Sequence, residues 1–85
     1  MDKIKEYRTR AEKFANEYRV RPEDMGHVTD IISSVMMTRD RYISGGDFVK
    51  AIVNNDLYQA INRGDETCLR NLKVIVASRE YCYLN

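Results

Sequence analysis

Apolar residues recur every three or four positions along most of this 85-residue chain. That period belongs to helices that bury one face. In the first segment, from about Asp2 to Arg19, Ile4, Tyr7, Ala11, Phe14 and Tyr18 form a single stripe. Lys3, Lys5, Glu6, Arg8, Arg10, Glu12, Lys13 and Glu17 fill the other faces. Opposite charges four apart, as in Glu6 with Arg10 and Arg8 with Glu12, support such a helix. A stripe this narrow suits a partner helix, in the same chain or in a second copy.

Proline and glycine punctuate the pattern. Pro22 disfavours helix in the residue before it and fits the first turn of a second helix, where Glu23 and Asp24 meet the positive end of the dipole. Met25, Val28, Ile32 and Val35, widened by Ile31 and Met36, are its expected core face, ending between Arg39 and Tyr42. Ser44-Gly45-Gly46-Asp47 reads as a glycine stop followed by an N-cap at Asp47. A third helix buries Phe48, Val49, Ile52 and Val53, with Leu57, Ala60 and Ile61 continuing its stripe to Gly64. Asn54-Asn55-Asp56 are poor helix formers, and Asp56 to Gln59 resembles a capping box, so one bent helix or two short ones fit equally. Asp65 caps a last helix with Leu69, Leu72, Ile75 and Val76 inward and Cys68 beside them, ending between Arg79 and Tyr83 and leaving Leu84-Asn85 loose. The expected architecture is all-α: one domain over residues 1–85, a small bundle of four or five short helices.

With 44% apolar and 32% charged residues, the composition is that of a folded globular domain, and a net charge of +1 provides no overall field for nucleic acid or anionic lipid. No apolar run approaches the roughly 20 residues of a membrane span. Met1-Asp2-Lys3-Ile4-Lys5 lacks the apolar stretch of a secretory signal, which points to the cytoplasm.

Reactive side chains are few. His27 is the one histidine, and Ser33 and Ser34 lie roughly two turns from it on the expected helix, too far to be activated by it. Its nearest acidic neighbour at helical spacing is Asp30, a surface pairing. Cys68 and Cys82, if on one helix, are roughly 21 Å apart, beyond the roughly 7 Å reach of a disulfide. Structural zinc takes four Cys or His ligands in close pairs, and three scattered candidates do not form that pattern. Gly45-Gly46 lacks the lysine and spacing of a phosphate loop. Neither an enzyme nor a cofactor is expected.

Three features remain. Six tyrosines (Tyr7, Tyr18, Tyr42, Tyr58, Tyr81 and Tyr83) without a tryptophan suit boundary or interface positions. Arg39, Arg41, Tyr42 and Lys50 flank a helix start and form a candidate anion or ligand site, with Asp40 and Asp47 offsetting part of the charge. Lys3, Lys5, Arg8, Arg10 and Lys13 form a modest basic patch on the first helix, a weak candidate for nucleic acid.

The run Gly45-Gly46-Asp47-Phe48-Val49-Lys50-Ala51-Ile52-Val53-Asn54-Asn55-Asp56-Leu57, followed by Ala60, Arg63-Gly64-Asp65 and Leu72, resembles a motif of small phage and prophage accessory proteins. It covers about a third of the chain, and the resemblance implies an early or accessory phage product without a catalytic role. Most of these residues suit fold: glycines stop, aspartates cap and apolar residues pack. Arg63 is the exception, either pairing with Asp56 or Asp65 or gripping an acidic partner.

The leading expectation is a non-enzymatic phage protein that binds and inhibits or sequesters a protein of its bacterial host, in a defence system for instance. A core this small gains from association, so a homo-oligomer is expected through helix 1, with Tyr7, Phe14 and Tyr18, and with Arg63, as interface candidates. An alternative is an oligomeric sponge that captures a cyclic nucleotide or similar anion at Arg39, Arg41, Tyr42 and Lys50. A third is a nucleic-acid-binding accessory protein.

Overall fold

A computed structural model describes residues 2–81, and the expectations for Cys82, Tyr83 and Leu84-Asn85 lie outside that range. Among the described residues there are six helices and no strand, so the all-α class stands and the helix number is corrected upward. They are α1 (Lys3–Glu17), α2 (Pro22–Arg39), α3 (Asp47–Val53), α4 (Leu57–Arg63), α5 (Glu66–Arg70) and α6 (Leu72–Arg79). No helix of the described residues is long and apolar enough to cross a membrane.

The helix starts follow local chemistry. Asp2 Oδ1 accepts from Ile4 N at 3.0 Å, Asp56 Oδ1 from Gln59 N at 3.2 Å and Asp65 Oδ1 from Cys68 N at 2.8 Å. Each satisfies an amide that the helix itself leaves open. Pro22 opens α2 as expected. Gly46, not Asp47, is the N-cap of α3, so Asp47 becomes its first residue and its carboxylate is free to reach elsewhere.

The second helix stops at Arg39 and the fourth at Gly64, as expected, but the chemistry of several stops differs. Three helices end on a non-glycine residue in the left-handed region: Arg19 (φ 58°), Arg41 (φ 61°) and Asn55 (φ 58°). In each case the paired amide bonds of a Schellman turn close the helix, as where Tyr42 N donates to Met37 O at 2.8 Å and Arg41 N to Thr38 O at 3.0 Å. The break at Asn54–Asp56 resolves the third segment into two short helices. A second break, at Asn71, was not anticipated and divides the last helix into α5 and α6.

The long α2 is the central element, packing against α1, α3, α5 and α6. Val28, Ile32, Val35 and Met36 of α2 are fully buried. Ala11 and Ala15 of α1 are equally buried, and small residues there let α1 lie close against α2. Tyr7 and Phe14 turn into the same core, where the Phe14 ring meets Tyr81 at 4.7 Å and Tyr18 at 4.9 Å between centroids. Phe48, Val49, Ala51 and Ile52 of α3, Ala60 of α4, Cys68 of α5 and Val74 and Ile75 of α6 complete it.

Candidate functional site

Among the described residues the fold gathers one group of His, Cys and Asp side chains. His27 stands in the second turn of α2, Asp65 caps α5 and Cys68 lies in the first turn of α5. Because α5 packs on α2, His27 Nε2 comes within 3.0 Å of Asp65 Oδ2 and 3.8 Å of Cys68 Sγ. The cap bond from Cys68 N to Asp65 Oδ1 fixes that carboxylate and leaves Oδ2 toward the imidazole. His27 and Asp65 are exposed, whereas Cys68 is only 3% exposed. His27 therefore pairs with Asp65 rather than with Asp30, which is bonded to Arg8.

A thiol, an imidazole and a carboxylate together suggest a nucleophilic relay, but the geometry opposes one. In a relay the carboxylate and the nucleophile occupy opposite ring nitrogens. Here both face Nε2. Burial first, then the Asp65 carboxylate, pushes the Cys68 thiol up from 9.0 to about 12, away from the thiolate that attack requires. The Asp65 carboxyl is lowered, chiefly by the Cys68 amide that donates to it.

The candidate residues read from the sequence are dispersed. Tyr7 and Phe14 lie in the core of the monomer, so they are not available to a partner in this fold, and Tyr18 is the exposed member of that trio. Their stripe meets a partner helix within the chain, because α2 and α6 pack against α1. Arg63 pairs with Asp47 at 3.4 Å and Gln59 at 3.3 Å instead of Asp56 or Asp65, since Asp47 is released from capping. Arg39 is engaged inside the protein, donating to the carbonyls of Arg79 and Tyr81 and to Asp40. Arg41, Tyr42 and Lys50 are exposed. On α1 the basic patch is partly neutralised, by Asp30 on Arg8 and Glu6 on Arg10, while the Lys3 ammonium sits 5.7 Å from the Tyr7 ring centre.

Two surfaces were not anticipated. On α4, Leu57 is 59% exposed, Tyr58 73% and Ile61 46%, although the stripe placed Leu57 and Ile61 in the core. Of the α4 side chains only Ala60 is buried, where α4 packs against α3. Beside this face, Ala51, Ile52, Leu57, Ala60 and Val76 line an apolar hollow of about 210 Å³. Where α5 and α6 meet the α1–α2 connection, Arg19, Arg21, Arg70 and Lys73 surround a cleft of about 260 Å³ that also holds Asp24 and Asn71. Arg19 and Arg21 come from the α1–α2 connection, and the other half of the cleft comes from α5 and α6, far along the chain.

Set against protein-family models, curated proteins and solved structures, the chain matches none.

Proposed function

We propose that this chain acts by binding another protein through the outer face of α4, without catalysing a reaction. The observation that carries this reading is the exposure of Leu57, Tyr58 and Ile61 together on one short helix, bordered by the apolar hollow at Val76. Contiguous exposed apolar side chains with a tyrosine among them mark contact surfaces. The Cys68 group supports the non-catalytic part, because burial and the Asp65 carboxylate raise its thiol and both partners face one ring nitrogen of His27. The resemblance of residues 45–72 to phage accessory proteins makes a bacterial host protein the first partner to test, and a second copy of the chain the next. Capture from host lysate is compared between the natural chain and a Leu57→Glu, Ile61→Glu double variant, with light scattering for self-association. A partner, or a dimer, lost in a variant whose melting temperature is unchanged supports the reading. Retention by the variant, or no partner and no dimer at all, overturns it.

A second reading, capture of an anionic small molecule, moves from Arg39 to the basic cleft. Arg19, Arg21 and Lys73 around one opening, beside an Arg70 already paired with Asp24, favour it. Calorimetric titration with cyclic nucleotides tests it, with heat expected for the natural chain and lost in Arg21→Ala and Lys73→Ala. No heat from the natural chain removes this reading.

A further inference from the structure

We propose that His27, Asp65 and Cys68 form a zinc site that clips α5 to α2. Nε2, a carboxylate oxygen and Sγ each offer one donor atom, and the three lie within 4.8 Å of one another. A tetrahedral zinc with sulfur at about 2.3 Å and nitrogen or oxygen at about 2.0 Å needs donors about 3.3–3.5 Å apart. The separations of 3.0 Å from His27 to Asp65 and 3.8 Å from His27 to Cys68 fall within about 0.3 Å of that, and the Asp65–Cys68 edge, which lies within 4.8 Å, closes as the exposed Asp65 side chain turns toward the metal. Convergence of thiol and carboxylate on a single ring nitrogen, which defeats a relay, is what a shared metal requires. One sulfur, one imidazole and one carboxylate suit zinc better than a hard cation, which prefers all-oxygen sites.

The site is also held in place. The Cys68 amide fixes Asp65 through Oδ1 at 2.8 Å, leaving Oδ2 as the ligand atom. The exposed sides of His27 and Asp65 leave the fourth position open to water. A metal here joins residues 38 and 41 positions apart, between the longest helix and a five-residue one that has little stability of its own.

The test uses the full untagged chain, reduced, with zinc or cobalt(II) as the probe. Zinc is titrated in competition with a colorimetric chelator, and cobalt is followed by its thiolate charge-transfer and visible bands. One equivalent of zinc is expected, with a thiolate–cobalt band that survives Cys82→Ser and disappears in Cys68→Ala. His27→Ala changes an exposed residue, and Asp65→Asn preserves a capping side chain, so both keep the fold. Each should weaken zinc at least tenfold, since even partners outside the ligand set are worth about 10–100-fold. Zinc should raise the melting temperature of the natural chain and not that of His27→Ala. Equal zinc affinity in the natural chain and His27→Ala overturns the site, as does a cobalt adduct without a thiolate band or one whose band depends on Cys82.

Discussion

Arg70 of α5 and Asp24 in the first turn of α2 meet through two parallel hydrogen bonds, Nη2 to Oδ1 at 2.9 Å and Nε to Oδ2 at 3.2 Å. Asn71 Nδ2 donates to the same carboxylate at 3.1 Å, and Asp24 itself is 4% exposed. The fork of an arginine on a carboxylate fixes both distance and orientation, so this trio sets how α5 and the α6 start lie on α2.

A pH dependence follows from that pair. The Arg70 bonds first, then Asn71, lower Asp24 from 3.8 to about 2. The folded value lies below the unfolded one, so the stabilisation is complete above about pH 4 and is lost as pH falls toward 2. Asp24→Asn should flatten that part of the acid-unfolding curve. It should also lower the neutral-pH melting temperature more than Asp30→Asn, whose partner Arg8 is exposed. Thermal melts of both variants at about pH 7 and about pH 3 check this, and an Asp24→Asn curve as steep as the natural one contradicts it.

Glycines divide by what surrounds them. A Cβ on Gly45 would stand 2.6 Å from Val49 Cγ1 and 2.7 Å from Thr38 Oγ1, and one on Gly64 would stand 2.9 Å from the Phe48 ring. Gly26, inside α2, meets nothing within 4 Å. Gly45→Ala and Gly64→Ala should each cost about 1–3 kcal/mol through overpacking. Gly26→Ala should gain about 0.5–1 kcal/mol by relieving a mid-helix glycine. Urea unfolding of the three variants checks the opposite signs.

Those positions show why part of the fold was legible in the sequence. Pro22, Asp56 and Asp65 act on neighbours two or three residues away, and the helices begin at or beside them. Gly45 and Gly64 sit where the resemblance placed fold-bearing residues, though what they serve is close approach rather than a left-handed turn. The Asn71 break was hidden, since Leu69, Leu72, Ile75 and Val76 keep helical spacing across it. At the break Asn71 Nδ2 donates both to Thr67 O at 2.9 Å and to Asp24 at 3.1 Å, and the second of these bonds is one that no local pattern records. His27, Asp65 and Cys68 were named individually as a lone histidine, a cap and a small hydrophobe, and only tertiary packing unites them. Leu57 and Ile61 misled for the opposite reason, because periodicity reports a face and not whether anything covers it.

Two arginines carry the left-handed turns that end α1 and α2. An L-residue pays roughly 1–2 kcal/mol there, and glycine avoids most of it. Arg19→Gly and Arg41→Gly should therefore stabilise by about 0.5–1 kcal/mol, whereas Asn55→Gly should change little, asparagine tolerating this region. Chemical denaturation resolves the three. A loss of stability in both arginine variants would show that their side chains contribute more than the backbone strain removes.

Arg39 separates a structural reading from the ligand reading of the α2–α3 connection. Its Nη1 donates to Arg79 O at 3.1 Å and Tyr81 O at 2.6 Å, and its Nε donates to Asp40 Oδ1 at 2.9 Å. Asp40 Oδ2 accepts from the Tyr7 hydroxyl at 2.7 Å, and Arg39 first, then Tyr7, lowers the Asp40 carboxyl. The Arg39 guanidinium thus ties the end of α2 to the chain leaving α6, while its partner Asp40 ties it to α1. A lysine has a single ammonium and cannot span that fork, so Arg39→Lys should cost about 1–2 kcal/mol. Arg41→Lys, on an exposed residue, should stay within about 0.5 kcal/mol. Urea midpoints of the two variants decide the matter. Equally small effects would mean that the carbonyls do not need Arg39, and would return its charge to the surface as a free cation for an anionic ligand.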